Sequence, residues 1–349
     1  MKRALFKLAL AAAIFSLTAG LAWPAPALAA GDILCTTFPV YLFTKNITRG
    51  RDAYKVNLLI PGHLGCPHDY APTPADLESL SRAEILVMNG LGLETFLPRA
   101  LKVAKPALKI IDASGGLAPG AADGGEPPAR LLLGLSDLAA GAAYEGSRGH
   151  GHGGPNPHIF AAPGTAAVMV GHIAEALAGL DPEGAGLYRR NAEILMNDLS
   201  AQAAALRRLG AEVNHPEVIA SHSVFDYLAR DMGFKVVATI EEEDGVAPSA
   251  ARLGELVALA GTSGAAGTSG AAAEKGLRAI LVDPEGNVEL ARTLGAETGL
   301  PVAVIDPVAS GPADPPLDYY QKVMAADIDV LTRLFSRPPA AAPRRGAKK

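Results

Sequence analysis

The chain has 349 residues, with 36 acidic and 31 basic side chains and a net charge of -5. That length is too great for one ordinary core and suggests about two domains of ~100–150 residues each. The mildly acidic balance, without a basic face, argues against a nucleic-acid partner.

The first residues have the pattern of a secretory signal peptide over 1–29. Met1-Lys-Arg is the positive start, Ala4 to Leu21 is the apolar stretch, and Ala27-Leu28-Ala29 is the small-x-small cleavage site. A membrane anchor is disfavoured, because no span of ~20 apolar residues follows in the mature chain. Cys35 is preceded by Asp-Ile-Leu rather than by the small residues of a lipoprotein signal. We therefore expect a soluble, periplasmic, monomeric protein without a lipid anchor.

Two cysteines, Cys35 and Cys66, remain in the mature chain. An oxidising compartment permits a disulfide between them, and both lie near the C-terminal ends of predicted neighbouring strands. Three alternatives stay open: a disulfide, two small buried residues, or a sulfur ligand at Cys66.

Strand and helix patterns alternate from Asp32 onward. Thr73 and Pro74 open one of the helices as N-cap and first helical residue. Strict alternation predicts parallel βαβ units with right-handed crossovers. The predicted strands are 32–38, 54–60, 84–89 and 108–112, and the predicted helices are 40–49, 73–81 and 93–103.

A long Gly- and His-containing loop over 114–157 interrupts this pattern, and a short helix is predicted within it at 131–143. Two helices follow. The second runs from Pro182 to about Leu209 and is expected to be capped by Asp181. At 1.5 Å per residue it spans roughly 40 Å, long enough to connect two lobes.

The second half repeats the alternation of the first. Strands are predicted at 217–221, 235–240, 278–282 and 302–305, and helices at 224–232, 248–260, 288–298 and 317–335. A tandem six-residue repeat over 261–272 has the composition of a linker. The predicted organisation is an N-terminal α/β lobe over 30–164, linking helices over 165–212, a C-terminal α/β lobe over 213–336 and a disordered tail over 337–349.

Candidate ligands follow the predicted strands. In open α/β sheets the ligand binds outside the carboxyl ends of the strands, and His68, His222 and Asp306 fall at such positions. His158 ends the long loop and can enter the same cleft. Three imidazoles and a carboxylate form a set suited to Zn²⁺. Asp283-Pro-Glu285 also follows a strand and is interpreted as a turn, with support of the site as the alternative.

Four segments carry a family resemblance: Pro67-His-Asp-Tyr-x-Pro-Thr-Pro-x-Asp-Leu77, Asn156-Pro-His158, the segment from Ser221 to Ala229, and Ile305-Asp-Pro307. They resemble the metal-binding segments of the zinc/manganese solute-binding proteins of bacterial ABC importers, of the zinc type, and the likeness extends from Asp32 to Phe335.

The resemblance implies two Rossmann-like lobes with parallel sheets, joined by a long rigid helix, and a metal site in the cleft between the lobes. The implied ligands are His68, His158, His222 and Asp306. The implied partners are a zinc ion and the membrane permease of an ABC importer. In manganese-binding relatives the position of His222 is typically a glutamate, so histidine here points to Zn²⁺, with Mn²⁺ as the alternative.

The sequence also departs from the family pattern. Ala162-Pro163 replaces the usual Asp-Pro, so Thr165 is expected to take over as helix N-cap. His150 and His152 are either accessory groups for metal capture or part of a solvated loop.

Two neighbours of His68 complete the prediction of the site. Asp69 and Tyr70 are candidate partners that fix the tautomer of the His68 ring.

The leading hypothesis is a periplasmic zinc receptor that serves an ABC importer and is not an enzyme. The chain contains no His-Glu-x-x-His and no Gly-x-Ser-x-Gly sequence. The alternatives are a manganese or iron receptor on the same fold, an exported zinc-dependent hydrolase, and a metal-regulated adhesin.

Overall fold

The computed structural model describes residues 31–64, 70–117, 156–213, 217–241, 247–262 and 277–335. The predicted signal peptide, the helix at 131–143 and the tail at 337–349 lie outside these ranges, as do Cys66, His68, Asp69, His150 and His152. Most of the 261–272 repeat lies outside them too, although its first residues end a helix.

Both lobes contain a four-stranded parallel sheet with a helix after most strands. The strands of the first sheet are β1 (Gly31–Cys35), β2 (Tyr54–Leu58), β3 (Ile85–Met88) and β4 (Lys109–Asp112). They lie in the order β2-β1-β3-β4. The accompanying helices are α1 (Phe38–Ile47), α2 (Pro74–Arg82) and α3 (Leu97–Ala100).

The linking helices α4 (Pro163–Leu180) and α5 (Ala185–Ala211) follow the first lobe. The strands of the second sheet are β5 (Glu217–Ala220), β6 (Lys235–Thr239), β7 (Leu277–Val282) and β8 (Val302–Val304), in the order β6-β5-β7-β8. Its helices are α6 (Asp226–Asp231), α7 (Ala250–Thr262), α8 (Val288–Thr298) and α9 (Tyr319–Phe335). The predicted parallel α/β fold is confirmed, with strand ends that shift by a few residues.

The central strands are apolar on both faces, as expected for a parallel sheet covered on two sides. Ile85, Leu86 and Val87 of β3 are buried, as are Ile280 and Leu281 of β7. Among the described helices, none is both long and apolar enough to cross a membrane.

One hydrophobic core runs beneath both sheets. It includes Val87 of β3, Leu199 of α5, Ala220 of β5 and Met324 of α9, all fully buried. The 27-residue helix α5 buries a stripe at helical spacing against this core. The helices α4 and α5 therefore do more than connect the lobes, because they contribute side chains to the core that the lobes share.

The expected cap of α2 is confirmed, and two other expected caps are wrong. The Thr73 side chain accepts the Asp76 N–H, and the Asp76 carboxylate accepts the Thr73 N–H. Asp181 does not cap α5, because a turn to Gly184 separates them. The Thr165 hydroxyl donates to the carbonyls of the preceding turn instead of accepting a helix N–H, so it does not cap α4.

Asp181 instead joins the linking helices to the N-terminal lobe. Its carboxylate accepts two hydrogen bonds of 2.9 Å from the Arg51 guanidinium and one of 2.6 Å from the Tyr188 hydroxyl. The Arg51 hydrogen bonds lower the pKa of the Asp181 carboxyl below its usual value, and the Tyr188 hydrogen bond lowers it further.

Candidate metal site between the lobes

His158 is fully buried at the start of a short 3-10 turn, Ile159–Ala161, that precedes α4. Its Nδ1 lies 2.8 Å from Oδ1 of Asn156, and its backbone N–H donates to the same oxygen at 3.0 Å. An amide oxygen can only accept, so Nδ1 carries the proton and the lone pair of the ring lies on Nε2.

Asn156 also ties this segment to the C-terminal lobe. Its side-chain amide donates to the Ser223 carbonyl at 2.8 Å and to Oδ2 of Asp226 at 3.1 Å. The Tyr227 hydroxyl donates to the Asn156 carbonyl at 2.8 Å. The residue that orients His158 is therefore held by the loop and helix that follow His222.

A buried network holds the other side of the same segment to the end of β3. The Asn89 amide donates to the Pro157 carbonyl at 2.9 Å, and the Asn89 backbone N–H donates to Glu94 at 2.7 Å. The Thr36 hydroxyl donates to the same Glu94 oxygen at 2.6 Å. Burial raises the pKa of the Glu94 carboxyl, and these donors partly oppose the shift.

His222 follows β5 in an extended conformation and is mostly buried. Its Nδ1 lies 3.3 Å from the Ser221 hydroxyl and 3.5 Å from Oδ2 of Asp283, the residue directly after β7. The Ser221 hydroxyl donates to that same Asp283 oxygen at 3.0 Å. These oxygens on the Nδ1 side of the ring favour a lone pair on Nε2, as in histidines that bind metals.

The two rings meet in the cleft. The ring centroids of His158 and His222 are 5.6 Å apart, with an interplanar angle of 79°. One imidazole comes from the segment held by the N-terminal sheet and the other from the end of a C-terminal strand.

Asp306 follows β8 at the same edge of the second sheet, because parallel strands end on one side. Burial raises the pKa of the Asp306 carboxyl, and the nearby negative charges of Glu285 and Asp283 raise it further, against a hydrogen bond from Val308 that lowers it. Negative charges gathered at this edge of the sheet make the region attractive to a cation.

Tyr70 and His68 are the other residues that the sequence predicts for the site. The Tyr70 hydroxyl donates to Oδ2 of Asp76 at 2.7 Å, and its ring packs on Phe96 with centroids 5.4 Å apart. Within the described ranges, no three histidine, cysteine, aspartate or glutamate side chains converge as a complete metal cluster. His68, which the sequence places in the site, lies outside those ranges.

Cys35 is a free cysteine, fully buried at the end of β1. Burial raises the pKa of its thiol to about 12, so the sulfur is protonated at neutral pH. Its candidate disulfide partner, Cys66, is not among the described residues.

Two contacts near the site have no signal in the sequence patterns. Asn156 belongs to a motif, but its contact with the His158 ring depends on the tertiary structure. Asp327 of α9 belongs to no motif, and its carboxylate accepts the Asp306 N–H. Asp283 was interpreted as a turn residue, and it does accept the Glu285 N–H at 3.1 Å while also facing His222.

Two parallel α/β lobes joined by a helix pair, with strand-end side chains facing one cleft, define a solute-binding protein. The chain belongs to the family of the periplasmic component A of the zinc-uptake complex, whose model matches residues 33–334. Members of this family are solute-binding receptors and not enzymes.

Known relatives agree with this assignment. The chain is 28% identical over 280 residues to the zinc-binding lipoprotein AdcA of Streptococcus pneumoniae, covering 80% of this chain and 50% of AdcA. It is 26% identical over 275 residues to the high-affinity zinc uptake system protein ZnuA of Bacillus subtilis, covering 78% and 77% of the two chains. It therefore spans about half the length of AdcA, the longer of these relatives.

The fold also matches that of a solved structure. The solute-binding protein FpvC of Pseudomonas aeruginosa, in complex with Mn²⁺, superposes with a TM-score of 0.68 at 23% identity. The superposition covers 88% of this chain and 99% of FpvC, so the two-lobed fold is shared over nearly the whole length.

Proposed function

We propose that the protein is the periplasmic zinc receptor of an ABC-type importer. It binds Zn²⁺ between the lobes through His68, His158, His222 and Asp306, and it delivers the ion to the membrane permease. The zinc-binding relatives and the family support the class of cargo. The assignment of the site is supported by its ligand types, since three imidazoles and one carboxylate suit Zn²⁺.

The approach of His158 to His222, with ring centroids 5.6 Å apart, is the observation that carries the proposal. Both rings have oxygen atoms against Nδ1, which places the lone pair that can coordinate a metal on Nε2 of each ring. Zinc binds neutral imidazole nitrogen at ~2.0–2.1 Å, so an ion bound to both rings holds the two lobes together.

The ligand set supports zinc over harder ions. Three imidazoles and one carboxylate suit zinc, whereas a site richer in oxygen suits manganese. A manganese receptor is the second candidate, since the structurally similar FpvC was solved with Mn²⁺. His222 is the residue that separates the two candidates.

The test is titration of the metal-free mature protein with Zn²⁺, followed by calorimetry and by thermal unfolding. One ion per chain is expected, with a large rise in melting temperature, because ligand at 1,000 times its Kd adds about 4 kcal/mol of stability. Each of the substitutions His68→Ala, His158→Ala and His222→Ala should abolish tight binding of Zn²⁺. The exposed His63→Ala serves as the matched control and should bind normally. The proposal would be refuted if Zn²⁺ neither bound nor raised the melting temperature while a small organic solute did both.

Delivery requires a separate measurement. The cognate permease and its ATPase, reconstituted in liposomes, should hydrolyse ATP faster with the zinc-loaded receptor than with the metal-free one. The receptor is expected to act as a monomer, because one chain supplies both lobes of the site. Light scattering of the loaded protein tests this expectation.

A further inference from the structure

The turn that carries Asp306 contains a strained residue. Val308 has φ of 61°, in the left-handed region, and its side chain is fully buried. A β-branched residue in that region is a genuine outlier, which persists only where the surrounding structure holds it in place. The surrounding contacts therefore fix this turn firmly in place.

The strained turn restrains the Asp306 carboxylate. The Val308 backbone N–H donates to Oδ1 of Asp306 at 2.8 Å. Within the part of the chain that the structure describes, the other oxygen, Oδ2, accepts no hydrogen bond. The carboxylate thus presents one oxygen while the other is held against its own backbone.

Asp327 restrains the same residue from the other side. It lies on α9 and is only 5% exposed, and its two carboxylate oxygens accept the Asp306 N–H at 3.2 and 3.1 Å. Met324 and Leu331, one turn away on either side, are fully buried and anchor this stretch of the helix in the core. A helix anchored in the core therefore holds the Asp306 backbone through these two contacts.

We infer that Asp327 is a positioning residue that makes Asp306 a one-oxygen ligand and thereby favours zinc over manganese. This inference rests on the function proposed above. Three imidazoles and one oxygen give the four-coordinate site that zinc prefers. A carboxylate free to turn can offer both oxygens, which raises the coordination number and the oxygen content and suits manganese better.

The test compares Asp327→Asn and Asp327→Ala with the wild type. Asparagine keeps one oxygen acceptor for the Asp306 N–H, whereas alanine keeps none. Asp329→Ala is the matched control, because it truncates an aspartate at an exposed position on the same helix. Zn²⁺ and Mn²⁺ affinities are measured by competition titration, and Co²⁺ absorption spectra report the coordination number.

Removal of a group that orients a ligand typically costs about 10–100-fold in metal affinity. For Asp327→Ala we expect a loss of that size for zinc and a smaller one for manganese, so that the ratio of zinc to manganese affinity falls. The Co²⁺ bands should weaken as the site leaves four-coordination. Asp327→Asn should show a smaller fall in the ratio, and Asp329→Ala none.

The outcomes separate the two claims. A wild-type protein that binds no zinc refutes the proposed function. If the wild type binds zinc tightly but the affinity ratio and the Co²⁺ spectrum are the same in both Asp327 variants, only the role of Asp327 is refuted. Equal losses for zinc and manganese with an unchanged spectrum also refute it, since they indicate a merely structural role. Should Asp327→Ala fail to fold, Asp327→Asn decides by the same two readouts.

Discussion

The Gly311 N–H donates to the Gly62 carbonyl at 2.8 Å, a backbone hydrogen bond between the two lobes. Gly62 lies six residues before His68 in the sequence, and Gly311 lies five residues beyond Asp306. The Phe38 ring lies so close to both glycines that a Cβ at either position would collide with it. This contact therefore requires glycine, and it couples two segments that carry predicted ligands.

We expect Gly311→Ala to weaken zinc binding and lower stability. The added methyl group must displace the Phe38 ring, and overpacking of this kind costs roughly 1–3 kcal/mol. Urea unfolding of the metal-free protein and zinc calorimetry measure the two effects.

Gly254→Ala is the control for this substitution. Gly254 lies on the exposed face of α7 with nothing within 4 Å of the added Cβ, so alanine should stabilise the helix by about 0.5–1 kcal/mol. Unaltered zinc affinity in Gly311→Ala would show that the contact is not coupled to the site.

Asp283 is predicted to set the tautomer of His222. In Asp283→Ala the Nδ1 side of the ring loses the nearby carboxylate oxygen, so the zinc affinity should fall by about 10–100-fold. Nitrogen NMR of labelled histidine should show the proton on Nδ1 in the wild type and a mixture of tautomers in the variant.

The exposed Asp318→Ala removes a carboxylate of the same charge elsewhere and should change neither quantity. A His222 tautomer that is identical in wild type and Asp283→Ala contradicts the assigned role.

His222→Glu should shift the preference from zinc toward manganese. A carboxylate replaces a borderline nitrogen ligand with a hard oxygen ligand, which suits manganese. Competition titration of Zn²⁺ against Mn²⁺ measures the change. His172→Glu, on α4 and away from the cleft, should leave the preference as it is. If both variants keep the wild-type preference, the ligand at position 222 does not determine it.

The pair formed by Arg51 and Asp181 should make stability depend on pH. Because the folded protein lowers the pKa of Asp181, the stabilisation is present above the unfolded pKa of about 3.9 and disappears as the pH falls through the folded value. Arg51→Met should therefore destabilise the metal-free protein at neutral pH and by progressively less in acid.

Urea unfolding at several pH values tests this dependence. Arg189→Met breaks an exposed pair with Glu175 and is expected to lower the stability less than Arg51→Met does at neutral pH. A deficit in Arg51→Met that stays constant down to the acid range would show that the ion pair is not its cause.

The strands were predictable because each is a short apolar run between turn residues, and parallel alternation then fixed the fold. The bounds of the third helix of the first lobe were harder to predict. It was predicted over 93–103, but the α-helix covers only Leu97–Ala100 and continues as a 3-10 turn. Gly90, Leu91 and Gly92 all have positive φ and hold the preceding segment in a turn, and Pro98 belongs to the first turn of the helix.

The candidate site was predictable to the extent that strand ends mark it. His222 and Asp306 follow strands whose carboxyl ends lie at one edge, so their neighbourhood follows from topology. Asp327 could not be found in this way. Its position in α9 fits a buried helical face, and only the tertiary structure shows that this buried carboxylate accepts the Asp306 N–H. The predicted role of Asp181 as a helix cap was wrong for a similar reason. Its carboxylate binds Arg51, which lies 130 residues away in sequence, and a local pattern cannot show that contact.

The core that runs beneath both lobes also sets an order of events during synthesis. Tyr320, near the end of the described chain, donates to the Phe160 carbonyl at 2.7 Å and packs on Phe43 with ring centroids 5.2 Å apart. The N-terminal lobe therefore lacks a part of its own core until the last helix has been made. Native folding has to wait until the last helix is available, and a chain cut short before Tyr319 should remain a substrate for chaperones and proteases.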